Sequence, residues 1–154
     1  MYDFQDLKKS NTYNYFLEPM LFTSLLLVPI SFIYFKKKYY ILSILILLNA
    51  IFSYIYHLDQ CCHNYDTEKD SENNKKITKD QLYLYLDMII SITAFIFSLR
   101  LALKLDLKTQ RKLLLIVIIA FSFYYLNLRF ESYNYHLFWH ISVLLGQLLL
   151  STSV

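Results

Sequence analysis

Five long apolar stretches, divided by short charged connections, constrain this chain more than anything else in it. They cover about 19–35, 39–58, 82–103, 113–128 and 136–150. A helix crossing the hydrocarbon core of a bilayer needs roughly 20 residues, with a range of about 17–25. The second and third stretches qualify outright. The first, fourth and fifth are short and need flanking aromatics or snorkelling basic residues to complete them. Tyr13, Tyr15 and Phe16 can extend the first into an aromatic belt, and Tyr124, Tyr125, Tyr133 and Tyr135 serve the last two. The stretches are rich in Leu and Ile and lack period-two alternation, which predicts helix over strand. In lipid a helix also satisfies its own backbone hydrogen bonds. One Gly and two Pro in 154 residues argue against a turn-rich β architecture. Pro29 predicts a kink in the first stretch. The expected fold is all-α: a polytopic transmembrane helical bundle of about five spans, forming one integral membrane domain over 1–154.

Composition agrees. Hydrophobic residues make up 56% of the chain, against about 45–50% for soluble domains. The net charge of +3 is modest, and the basic residues cluster between apolar runs. No basic helix face with interleaved aromatics is present, so nucleic acid is not an expected partner. Lys36, Lys37 and Lys38 separate the first two runs, and Lys104, Lys108, Arg111 and Lys112 separate the third and fourth. Short loops rich in Lys and Arg stay on the cytoplasmic or matrix side. The polar loop 59–81 is net acidic and should face outward. Five spans then give an N-out, C-in topology, with the organelle left open among endomembrane, plasma membrane and mitochondrial inner membrane. Residues 1–18 are polar and aromatic, unlike a signal peptide, so the first run is expected to act as its own insertion signal. Cys61 and Cys62 are adjacent and are the chain's only cysteines, which leaves no disulfide framework within it. They read as loop thiols.

Ionisable groups within apolar runs are the best indication of function, because they are costly in a bilayer. His57 closes the second run, Asp87 opens the third, and His136 and His140 open the fifth. In this topology all four reach one leaflet. Ser53 and His57 are four residues apart, as are His136 and His140, so each pair shares a helix face. A His pair at that spacing clamps a metal at two points. A third His from a neighbouring helix completes a three-His site with an open position, the arrangement of catalytic zinc. Asp87 is then a candidate proton acceptor or imidazole orienter, and Ser53 a candidate donor to a developing oxyanion. Each part also has a plainer reading. The histidines can belong to an aromatic belt with Tyr135 and Trp139, Asp87 can pair with a basic neighbour, and Ser53 can bond its own helix backbone. His63 is not expected to ligate, Arg100 is expected to snorkel, and Asn49 is expected to bond across helices.

These residues resemble a known group. Ser-x-x-x-His at Ser53 and His57, the membrane Asp87, and His-x-x-x-His at His136 and His140 are similar to the signature of the CREST superfamily of membrane hydrolases. The resemblance is nearer to its myomaker branch, which also contains a phospholipase acting on GPI-anchored proteins. It is carried by the stretches 25–29, 36–40, 52–57, 81–87 and 135–140. It implies a membrane hydrolase of lipid amides or esters, with zinc held by His57, His136 and His140 and catalysis supported by Asp87 and Ser53. The chain departs from the pattern in two ways. The family has seven helices and only five runs are visible here. A Pro-Gly pair expected after the first His is replaced by Asp59-Gln-Cys-Cys-His63.

Two other functions compete with hydrolysis. A small, aromatic-rich protein with short runs also suits a non-catalytic accessory subunit of a larger membrane complex, such as a mitochondrial respiratory or ATP-synthase assembly. Two membrane histidines can alternatively ligate haem, given a cavity between facing helices. Membrane lipids are expected partners in every case, and other membrane protein subunits in the accessory-subunit case.

Overall fold

The computed structural model describes residues 19–63, 79–130 and 133–154. Among the described residues six helices overlap the five apolar runs: α1 (Pro19–Leu25), α2 (Leu27–Lys36), α3 (Tyr40–His63), α4 (Lys79–Ala102), α5 (Leu107–Phe130) and α6 (Tyr133–Ser153). There is no strand among the described residues. Four units are long and apolar enough to cross a membrane: Pro19–Lys36, Tyr40–Leu58, Leu82–Ala102 and Leu107–Phe130. That fits an integral membrane protein.

The first unit is two helices because of Pro29. Proline has no N–H to give the carbonyl four residues back, and its ring crowds that carbonyl. The helix accordingly breaks at Leu26, just after Leu25, whose carbonyl Pro29 cannot serve. Leu26 N still donates to Phe22 O at 3.1 Å, so the interruption is one residue long.

The tight turns have clear local causes. At the end of α2, Tyr39 N donates to Tyr34 O and Lys38 N to Phe35 O, both at 3.0 Å. This is the Schellman pattern, and Lys38 takes its left-handed position with φ 67°. At the start of α5, Asp106 Oδ1 accepts from Thr109 N at 3.0 Å and Oδ2 from Thr109 Oγ1 at 2.6 Å, capping the helix. Gln110 Nε2 closes the same turn on Leu105 O at 2.8 Å.

Several boundaries differ from the sequence expectation. The α3 backbone stays helical through Cys61, Cys62 and His63, and α4 begins at Lys79, so the polar connection is shorter at both ends than 59–81. Its centre, 64–78, lies outside the described residues, as does the 1–18 segment with Tyr13, Tyr15 and Phe16. The fourth run extends back from 113 to Leu107, because the Asp106 cap recruits the polar turn Lys108–Lys112 into helix. The helix α6 is 21 residues long but is not among the four membrane-crossing units. Three of its polar groups are turned into protein: Ser142, Gln147 and Ser151 are buried.

Helix directions follow from the contacts. Tyr34 pairs with Gln147, and Lys37 Nζ donates to Val154 O, so α2 and α6 run the same way. Tight turns make α3 antiparallel to α2 and make α4, α5 and α6 alternate; α3 and α4 are therefore antiparallel. Asn49, expected to bond across helices, does so, accepting from Ser91 Oγ on α4 at 2.6 Å. Leu42 at the start of α3 and Leu101 at the end of α4 share one apolar core with Ile30, Tyr34, Ile46 and Leu150. Both basic turns thus lie at one end of the bundle, and His57 and His136 lie towards the other.

Candidate metal centre

His57 sits near the end of α3, and His136 and His140 lie one turn apart at the start of α6. Because α3 and α6 are antiparallel, those positions meet. His57 Nε2 is 3.2 Å from His140 Nε2, and His140 Nε2 is 3.0 Å from His136 Nε2. One nitrogen from each of the three rings lies within 4.8 Å of the others. His57 is buried, and His136 and His140 are half-buried. The rings meet edge-on or tilted, with centroids 4.9–5.3 Å apart. They are not stacked face to face, so the ring edges converge.

Two-centre hydrogen bonding does not account for this convergence. A neutral imidazole nitrogen has one in-plane position, holding either a lone pair or a proton. His140 Nε2 has two nitrogens at hydrogen-bond distance and can serve only one of them. A cation at the centre satisfies all three lone pairs. Three nitrogens bound tetrahedrally to one zinc at about 2.0–2.1 Å lie about 3.3 Å apart, close to the two separations at His140, and all three nitrogens lie within 4.8 Å of one another. The donor set therefore fits a metal ion. Haem ligation does not fit: nitrogens at 3.2 Å leave no room for a macrocycle between opposed rings.

The surroundings are aromatic and amide. Trp139 packs its ring against both His136 and His140, at centroid distances of 5.5 and 5.1 Å, and Tyr124 of α5 packs against Trp139. These rings flank the site, while the edges of the three imidazoles converge on one another. Asn127 of α5 places its amide Nδ2 3.3 Å from His136 Nδ1. No sequence motif marks Asn127.

Asp87 and Ser53 lie at the same depth. Ser98 bonds Gln147 across the parallel pair α4 and α6. Asp87 precedes Ser98 by eleven residues, as His136 precedes Gln147, so the two are level. The Asn49–Ser91 bond similarly sets Asp87 level with Ser53 across the antiparallel pair α3 and α4. Asp87 Oδ1 is buried and has no hydrogen-bond partner among the described residues. An orphaned buried acceptor is costly, and at a functional site it is ordinarily matched by a ligand or water. The basic neighbour allowed for it on sequence grounds does not supply a bond to Oδ1.

Ser53 is buried and lies 3.0 Å from Ser24 Oγ. Ser24 in turn donates to Met20 O at 3.0 Å. With that proton committed, Ser53 donates to Ser24, so its hydroxyl joins α1 to α3 instead of bonding its own helix. Service as an oxyanion donor requires that hydroxyl to rotate. The side chains of Cys61, Cys62 and His63 lie outside the described set.

No protein-family model, curated protein or solved structure matches this chain.

Proposed function

We propose that this chain is a zinc-dependent membrane hydrolase of lipid amides or esters, a compact five-unit relative of the CREST superfamily. The observation that carries the reading is the convergence of three imidazole nitrogens, with separations of 3.0 and 3.2 Å about His140 Nε2, which ordinary two-centre hydrogen bonds cannot both satisfy. His57, His136 and His140 would hold the ion. When bound, zinc supplies Lewis acidity, bringing the pKa of water to about 7 and polarising an acyl carbonyl. Asp87, level with the cluster and with one oxygen unpartnered, accepts the proton that water gives up. Ser53, released from Ser24, donates to the acyl oxygen as charge develops there. Trp139 and Tyr124 shield the centre on one flank, which strengthens electrostatic interactions within it.

The gathering of both basic turns at the end opposite the histidines supports placing the site at the outer leaflet. A site at that depth meets the ester and amide linkages of lipids, which lie at the boundary between headgroup and acyl chain.

The test is turnover. Purified protein in mixed micelles is given a panel of lipid amides and esters, with and without a chelator. The proposal expects cleavage of at least one class, lost on chelation and restored by zinc. Cleavage that survives complete metal removal, or no cleavage by zinc-loaded protein, contradicts the hydrolase assignment.

A further inference from the structure

Asn127 stands on α5, nine positions before His136, and reaches its ring across the short α5–α6 connection. Its amide nitrogen Nδ2 is 3.3 Å from Nδ1, on the side of the imidazole away from the cluster. On the other side, Nε2 is 3.0 Å from His140 Nε2. A neutral imidazole carries one proton, so what Asn127 does at Nδ1 decides what Nε2 offers. If the amide N–H donates to Nδ1, the proton sits on Nε2, points into the cluster and blocks ligation. If the amide is turned over, Oδ1 accepts the Nδ1 proton and leaves the Nε2 lone pair free. The two ends of an amide have nearly the same shape, so the exchange displaces no neighbour. The Asn127 side chain makes no other hydrogen bond among the described residues, so nothing else holds it to one orientation.

We infer that Asn127 is a positioning residue of the metal centre, its Oδ1 accepting the His136 Nδ1 proton so that Nε2 is left bare for the ion. The inference rests on the zinc reading above. Partners of this kind fix the tautomer and angle of a ligating ring, and their loss costs roughly 10–100-fold in metal affinity.

The acceptor role makes the carboxylate variant informative, since Asp accepts and cannot donate. Zinc affinity is measured by chelator competition on the full chain in detergent, for the parent, Asn127→Leu and Asn127→Asp. Helix content of the metal-free proteins by circular dichroism shows whether each variant folds. The expected result is a loss of about 10–100-fold for Asn127→Leu, with Asn127→Asp binding at least as tightly as the parent. Parent-like affinity in Asn127→Leu overturns the inference. So does a folded Asn127→Asp that binds as weakly as the Leu variant, because the amide would then act as a donor. Should Asn127→Leu not fold, the Asp variant decides alone. A parent protein that binds no zinc overturns the metal reading itself, a different result from either.

Discussion

At the scale of single residues, the account turns on how few protons three close imidazoles can share. Truncating any one of His57, His136 or His140 to Ala leaves two ligands, and zinc retention through gel filtration should be lost in each variant. Ligating nitrogens must be unprotonated. Bound zinc should therefore be retained at neutral pH and released as pH falls, which a zinc-sensitive dye can follow. Asp87→Asn separates binding from chemistry: it should keep zinc and lose turnover by about 10²–10⁴-fold, the usual worth of a positioned base. If zinc is lost with it, Asp87 holds the ion or its ligands and is not the proton acceptor. The histidine cluster was legible because i, i+4 spacing and the loop charges placed its members on one face and at one depth. Asn127 was not legible. Its contact depends on the rotational phase of α5 against α6, which no local motif records. Ser24 escaped notice for a similar reason: Ser53 had a backbone carbonyl available nearby, and only packing of α1 on α3 offers it a hydroxyl instead.

At the scale of elements, the apolar runs located each described helix, but their ends were decided by short polar contacts. The Asp106 cap moved the start of α5 back into a basic segment that hydropathy alone leaves as loop. Thr109 hydrogen bonds hold the Asp106 carboxyl below the usual carboxylate range. A group with a depressed folded pKa contributes stability above its unfolded pKa and loses it as pH falls through the folded value. Fraying of the first turn of α5 should therefore appear only as pH falls below the usual carboxylate range, and Asp106→Ala should fray it at neutral pH. Amide hydrogen exchange at Thr109 and Gln110 reads both. The α2–α3 turn offers the opposite case. Lys38 holds a left-handed backbone at φ 67°, which costs a residue with a Cβ about 1–2 kcal/mol. Lys38→Gly should stabilise the protein by about 1 kcal/mol, measured as a rise in unfolding temperature. An irregularity caused by Pro29 was legible, and its location at Leu26 follows from the carbonyl that proline leaves unserved.

At the scale of the whole molecule, the packing of α6 explains why the helix that carries two of the three clustered histidines is not among the four units apolar enough to cross a membrane. It packs against α1, α2, α4 and α5, and meets α3 through the histidines. A helix surrounded by protein can carry His, Gln and Ser, because neighbouring helices satisfy them. Gln147 shows this, bonded to Tyr34 of α2 and Ser98 of α4. In contrast, α4 and α5 are mostly exposed and turn Ile, Leu and Phe outward, a surface suited to lipid. An ion that joins α3 to α6 should also stabilise the bundle. Free zinc at about a hundred times its dissociation constant is worth about 2.7 kcal/mol, so a chelator should lower the unfolding temperature of the parent and leave a triple His→Ala variant unmoved.

The central claim is that His57, His136 and His140 hold one ion, and metal analysis of the purified chain tests it most directly. Protein extracted without chelators and passed through gel filtration should carry close to one zinc per chain, and the His136→Ala, His140→Ala double variant should carry none. A folded parent that remains metal-free after incubation with zinc, or a double variant that keeps the parent's content, would contradict it.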